Sequence, residues 1–96
     1  MAVQYVDYRD VDIDGIDAVV VGSGFAGSVV ARELADRRDM NVLIIEKRPH
    51  IGGNMYDEHD EAGILVHRYG PHIFHTNNQQ VFHYLRRFSG WLGYQH

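Results

Sequence analysis

The chain has 96 residues, 45% of them hydrophobic and 23% charged, with a formal net charge of −4 at pH 7. This length and composition indicate one small soluble globular domain, and the absence of cysteine excludes disulfides, thiol catalysis and cysteine-ligated zinc. No apolar run approaches the roughly 20 residues that span a membrane, and no secretory signal is evident, so we expect a cytoplasmic protein without a membrane partner.

Residues 1–16 are predicted to form an acidic, flexible leader. Residues 1–17 hold five aspartates and one arginine, which together carry the whole net charge of −4. The charges of the remaining sequence sum to zero, so it has no strong electrostatic field that would attract a polyanion. Nucleic-acid binding is therefore not expected.

A dinucleotide-binding fingerprint follows the leader. The segment Ile16–Gly22 is apolar on both faces, which is typical of a buried parallel strand. It leads into the pattern G-x-G-x-x-G, formed by Gly22, Ser23, Gly24, Phe25, Ala26 and Gly27. In this pattern the first glycine permits a tight turn, the second lets a pyrophosphate approach the backbone, and the third lets helix and strand pack closely. The N–H groups of the following helix then point at the phosphates.

The next two elements complete a βαβ unit. Apolar residues at helical spacing predict a helix over Phe25–Arg38, and Asn41–Glu46 predicts a second strand. Glu46 is placed at the strand tip to accept hydrogen bonds from a ribose hydroxyl. The fold class is therefore α/β, a Rossmann-like dinucleotide-binding unit. Its parallel sheet is incomplete, so we expect it to be part of a larger domain.

The second half of the chain has weaker patterns. Residues 47–63 are rich in Gly, Pro, Asn and Asp and predict a loop. Ile64–Tyr69 has strand composition, and Asn78–Phe88 has the apolar spacing of an amphipathic helix that Ser89 and Gly90 end.

A second glycine pair, Gly52 and Gly53, favours FAD over a nicotinamide cofactor. An extended flavin dinucleotide needs a second close approach of the backbone, whereas a nicotinamide-binding fold does not. An ordinary turn is the alternative explanation of this pair.

Two further motifs carry a family resemblance. Flavin-dependent amine oxidases are similar up to the glycine pair but usually continue Gly-Gly-Arg, whereas this chain has Asn54. The sequence Tyr-Gly-Pro-His-Ile-Phe-His-Thr then spans 69–76. Together these motifs resemble UDP-galactopyranose mutases, from Asp17 to His96. Residues 17–96 are accordingly predicted to be the N-terminal part of an FAD-binding domain.

The resemblance implies an isomerase that interconverts UDP-galactopyranose and UDP-galactofuranose, for galactofuranose and cell-wall polysaccharide synthesis. In that family the sugar becomes covalently attached to N5 of reduced FAD. The resemblance also implies a homodimer with UDP-galactose as substrate. Later segments of the family supply most of the substrate pocket, so the 96 residues are expected to be inactive alone.

The resemblance also implies roles for individual residues. Since flavin N5 is the nucleophile, no catalytic side chain is certain, and His72 is the candidate. His96 falls near the expected substrate position. The cofactor-binding set implied by the match is Gly22, Ser23, Gly24, Phe25, Ala26, Gly27, Glu46, Lys47, Gly53, Asn54, His72 and Ile73.

Metal binding is not expected from the sequence. His67, His72 and His75 are close in sequence, but no acidic residue lies between Arg68 and His96 to complete a site. His75 fits a packed core histidine. Two other functions stay open: an amine-oxidase-like flavin oxidoreductase, and a truncated non-catalytic fragment that binds nucleotide.

Overall fold

The computed structural model describes residues 5–95, so residues 1–4 of the predicted leader and His96 lie outside the described part. Short 3-10 helices occur at Tyr8–Asp10 and Gly53–Met55. The other elements, in chain order, are β1 Ala18–Val21, α1 Phe25–Arg38, β2 Val42–Ile45, β3 Asp57–His59, β4 Leu65–His67 and α2 Gln79–Leu85.

The predicted βαβ unit is present. Strands β1 and β2 pair in parallel, with a register that runs from Ala18 opposite Val42 to Val21 opposite Ile45. Helix α1 has the predicted bounds and packs against both strands. It ends where Asp39 adopts the left-handed conformation at φ 52° and donates its N–H to the carbonyl of Leu34, an arrangement that satisfies the last turn. The Rossmann-like α/β prediction is confirmed.

The prediction that the first strand is buried on both faces is wrong for the described chain. Val19 is 55% exposed and Val21 is 81% exposed. The reason is that the parallel sheet has two strands and helix α1 is the element packed against it. Among residues 5–95, the buried apolar side chains are Ala31 and Leu85. A chain with so little buried apolar surface has a small margin of stability.

An antiparallel hairpin replaces part of the predicted loop. Residues 57–59 form β3, which pairs with β4 so that Asp57 lies opposite His67. The carboxylate of Asp60 accepts the N–H groups of Ala62 and Ile64, both at 2.9 Å, and so closes the connecting turn. The loop prediction failed here because Asp-Glu-His has no strand propensity. The pairing comes from the partner strand and the turn.

Helix α2 begins at its cap, as predicted, but is shorter. The side chain of Asn78 accepts the N–H groups of Gln80 and Val81 at 2.9 and 3.3 Å, which satisfies two donors of the first turn. The helix ends at Leu85, before the predicted end at Phe88. An apolar groove of about 500 Å³ runs between α1 and α2. Neither helix among the described residues has the length and apolar character that crossing a membrane requires.

Residues 5–10 of the leader are exposed. Residues 8–10 form a single 3-10 turn, and the Asp7 side chain accepts the N–H of Arg9 at 2.9 Å. A bidentate contact between the same two side chains reinforces the turn. The flexibility of residues 1–16 stays a prediction.

Candidate functional site

The glycine-rich turn lies between the end of β1 and the start of α1. Gly22 has φ +96°, which an L side chain rarely adopts, and its N–H donates to the carbonyl of Ile45 at 2.8 Å. A Cβ placed on Gly27 would lie 2.0 Å from the carbonyl oxygen of Gly22. The helix therefore reaches the turn this closely because residue 27 has no side chain.

The N-terminus of α1 is suited to an anion. Its cap residue, Gly24, makes no side-chain hydrogen bond to the first turn, and no acidic residue lies in that turn. The first N–H groups of any α-helix lack partners within the helix. Together with the positive end of the helix dipole they attract phosphate or another anion. A Cβ on Gly24 would meet only the Cα of Gly53, at 3.8 Å, so the backbone here can be approached closely.

Glu46 is tied to the turn by hydrogen bonds. Its Oε2 accepts the N–H of Ser23 at 2.9 Å and also the Ser23 hydroxyl, while Oε1 accepts the N–H of Arg48 at 3.0 Å. The Ser23 hydroxyl, followed by these backbone donors, lowers the pKa of the Glu46 carboxyl to about 2. Glu46 is therefore ionised at neutral pH. Because each carboxylate oxygen has two lone pairs, it can still accept a ribose hydroxyl.

The second glycine segment packs directly on the first. Gly52 donates its N–H to the carbonyl of Ser23 at 3.1 Å. Gly53 has φ +60°, and a Cβ there would lie 2.8 Å from the Cα of Gly24. This contact gives Gly53 a packing role that the sequence did not suggest. It also brings both glycine motifs to one place.

The residues beside this junction are accessible. Arg48 donates from Nη1 to Oδ1 of Asn54 at 2.9 Å, and its guanidinium lies 4.3 Å from the centre of the Tyr69 ring. Lys47 is exposed and follows Glu46 directly. Phe25 and Ala26, in the first turn of α1, are also exposed. Arg48 is thus held at the rim of the junction.

His72 and Ile73 lie elsewhere, on the segment that follows β4. The backbone N–H of His72 donates to Nδ1 of His67 at 3.1 Å, and the two ring centres are 4.0 Å apart. The Nε2 atom of His72 is 3.4 Å from Oδ1 of Asp57. Ile73 is 56% exposed. His75 is also exposed, so its prediction as a packed core histidine is wrong.

Asp57 is the residue that sequence reasoning missed. No acidic residue follows Arg68 in the sequence, whereas strand β3, which precedes it, supplies Asp57. The register of the hairpin places Asp57 opposite His67. The premise that no carboxylate accompanies His67 and His72 is therefore wrong. Only a prediction of the hairpin and its register would have found this residue.

Comparison with known proteins agrees with the geometry of the turn. Residues 20–88 match the family described as NAD(P)-binding Rossmann-like domain. A UDP-galactopyranose mutase of Mycoplasma genitalium is 48% identical over 87 residues, which are 90% of this chain and 21% of the relative. A dTDP-fucopyranose mutase of Escherichia coli is 49% identical over 77 residues, 79% of this chain and 20% of the relative.

A more distant relative has a different activity. An L-amino acid dehydrogenase of Synechocystis is 36% identical over 63 residues, 66% of this chain and 13% of the relative. The chain spans about a fifth of the length of the two mutases. The predicted resemblance to UDP-galactopyranose mutases is confirmed over the N-terminal part of those proteins.

Proposed function

The chain belongs to the NAD(P)-binding Rossmann-like domain family, and on that premise we propose that it is the FAD-binding front part of a UDP-galactopyranose mutase. One observation carries the proposal. The glycine-rich turn, Glu46 and the second glycine segment meet at one place, held by the bonds of Ser23 to Glu46 and of Gly52 to Ser23. The 48% identity to a mutase over 87 residues supports the choice among dinucleotide-binding enzymes.

The residues at this junction fit an FAD dinucleotide. The uncapped N-terminus of α1 offers N–H groups to the pyrophosphate, and the open backbone at Gly24 allows it to approach. Glu46, held ionised, accepts hydrogen bonds from the adenosine ribose, with Lys47 beside it. Asn54, next to the second glycine pair, is oriented by Arg48. His72 and Ile73 are proposed to lie beside the flavin ring.

The chain's own contribution to the reaction is binding and orientation. When bound and reduced, FAD supplies a nucleophilic N5 for the anomeric carbon of UDP-galactose. The turn and Glu46 fix the dinucleotide at its phosphates and ribose, which positions the distant ring. Because the chain spans about a fifth of the mutases it matches, we propose that it is inactive by itself and that the complete enzyme is a homodimer.

Two alternative activities make different demands. The dTDP-fucopyranose mutase relative is as similar as the UDP-galactopyranose one, 49% against 48%, so a second candidate is a mutase of another nucleotide sugar. An amine-oxidase-like oxidoreductase has less support, because the dehydrogenase relative is 36% identical over a shorter segment and Asn54 stands where such enzymes usually have arginine. A mutase turns over without consuming an electron acceptor, whereas an oxidoreductase consumes one.

Flavin retention tests the proposal directly. The purified chain is incubated with FAD, passed through gel filtration and examined by visible absorption; we expect flavin to co-elute with the protein. Gly24→Val is expected to abolish retention, because its side chain blocks the pyrophosphate approach. Gly24→Ala is the milder control, since its Cβ meets only an ordinary 3.8 Å contact in the folded chain and should leave the circular dichroism spectrum unchanged.

The outcomes separate the proposals. A colourless protein peak from the folded unmodified chain would contradict FAD binding by this segment and favour a non-catalytic fragment. Flavin retained at full level by folded Gly24→Val would overturn the assignment of the turn to the pyrophosphate.

A further inference from the structure

We infer that Asp57, His67 and His72 form a binding site for a divalent transition metal, with zinc as the ion that fits best. These three residues form the hairpin triad. One nitrogen of each imidazole and one carboxylate oxygen of Asp57 lie within 4.8 Å of one another. The site belongs to the chain without flavin, because the proposed function places His72 beside the flavin ring.

The backbone brings the hairpin triad together. Asp57 and His67 are directly opposite each other in the β3–β4 register, and opposite residues of an antiparallel pair project from the same face. His72 returns to this face after the turn that follows β4, held by the hydrogen bond from its N–H to His67. Strand pairing therefore sets the positions of Asp57 and His67, and in the metal-free chain the hydrogen bond sets that of His72.

The Asp57 carboxylate of the triad is suited to a cation. Its Oδ1 atom is buried and makes no hydrogen bond among the described residues, and its contact within the triad is the 3.4 Å approach of Nε2 of His72. A buried carboxylate oxygen without a full hydrogen bond is costly. Arg68, at the end of the hairpin, pairs instead with Glu58, Nη1 to Oε1 at 2.7 Å. A bound cation would satisfy Asp57.

The spacing of the ligand atoms suits a tetrahedral ion. Nε2 of His72 and Oδ1 of Asp57 are 3.4 Å apart, longer than the roughly 2.7–2.9 Å of a charge-assisted hydrogen bond. Two ligands on a tetrahedral ion with bonds of about 2.1 Å lie about 3.4 Å from each other. The other separations, all within 4.8 Å, need rotation of side chains toward the ion.

The donor set selects the kind of ion. Two imidazoles and one carboxylate are the ligands that zinc uses in three-ligand sites, with a fourth position left to water. Imidazole also suits copper and nickel, whereas calcium and magnesium prefer oxygen alone. In the metal-free chain Nδ1 of His67 accepts the N–H of His72. Zinc on Nδ1 replaces this hydrogen bond, and zinc on Nε2 moves the ring proton to Nδ1, so either mode of binding breaks it. That cost predicts binding weaker than at a four-ligand structural zinc site.

Zinc titration of the purified 96-residue chain tests the inference. Calorimetry with zinc chloride in a non-coordinating buffer, without flavin, should give one ion per chain. Two-dimensional NMR of the imidazoles should show His67 and His72 shifting first. The NMR measurement needs no variant, so it does not depend on a substituted chain folding.

Matched variants then locate the ion. Asp57→Asn preserves the size of the side chain and should weaken zinc binding at least about tenfold, and His72→Gln should do the same. The controls Glu61→Gln and His83→Gln change an exposed carboxylate and an exposed imidazole outside the triad, and should leave affinity within twofold. The inference is overturned if no zinc binds, if other imidazoles shift first, or if folded Asp57→Asn binds zinc as the unmodified chain does.

Discussion

Gly27→Ala should destabilise the chain through a single clash between helix and strand. The added Cβ would lie 2.0 Å from the carbonyl oxygen of Gly22, 3.0 Å from its carbonyl carbon and 3.3 Å from Cγ1 of Val20. The first contact is with backbone in a turn whose N–H is itself bonded to Ile45. The strain cannot be relieved by rotating a side chain, so α1 must move away from the end of β1.

The size of the effect follows from two opposing terms. Overpacking in a well-packed region costs about 1–3 kcal/mol, and a contact this short with backbone belongs at the upper end, near 3 kcal/mol. Alanine gains up to about 1 kcal/mol over glycine in a helix. We therefore expect a net loss of about 2 kcal/mol in the free energy of unfolding, which is a roughly 30-fold change in the folding equilibrium.

Urea denaturation followed by circular dichroism measures this loss, and Gly90→Ala is the matched control. Gly90 has a negative φ and no atom within 4 Å of the position of its Cβ, so the same substitution there should change stability by less than about 0.5 kcal/mol. If Gly27→Ala unfolds at the same urea concentration as the unmodified chain, the close packing of α1 on the turn is refuted.

The remaining predictions concern charge and helix capping. Because the folded pKa of Glu46 is lowered from 4.5 to about 2, its contribution to stability is present above pH 4.5 and is lost as the pH falls toward 2. The urea midpoint of Glu46→Gln should therefore depend less on pH between pH 4.5 and 2 than the midpoint of the unmodified chain. Asp7→Asn is the comparison, because the contact with Arg9 also lowers the pKa of Asp7 to about 2. A Glu46→Gln pH profile identical to that of the unmodified chain would contradict the hydrogen bonds between Ser23 and Glu46. Asn78→Ala should cost about 1 kcal/mol, measured by urea denaturation, and an unchanged midpoint would show that the cap of α2 does not stabilise the chain.

The βαβ unit could be predicted from the sequence because its signals are local. Apolar runs of four residues predict the strands, the glycine spacing predicts the turn, and the helical stripe predicts the helix. Each signal lies within a few consecutive residues. The bounds of α1 were predicted to the residue, since Gly24 and Asp39 mark its two ends. The position of Glu46 beside the turn followed as well, because parallel strands end at the same edge.

The hairpin and its triad were decided by tertiary structure. Asp-Glu-His carries no strand signal, and its pairing with β4 depends on a turn and a register that contacts across the chain determine. A shift of one residue in the β3–β4 register would place Asp57 and His67 on opposite faces of the hairpin, and the proposed metal site would not form.

The exposure of β1 and the role of Gly53 also needed the folded chain. The apolar side chains of Val19–Val21 are suited to burial on both faces of the sheet. Which of them are buried depends on the elements packed against the strand. A glycine at position 53 is compatible with close approach of either a cofactor or a neighbouring backbone, and the sequence does not distinguish them. The structure shows the backbone contact, because a Cβ on Gly53 would lie 2.8 Å from the Cα of Gly24. Local stereochemistry thus determined the elements of this protein, while contacts between residues distant in sequence decided which side chains meet.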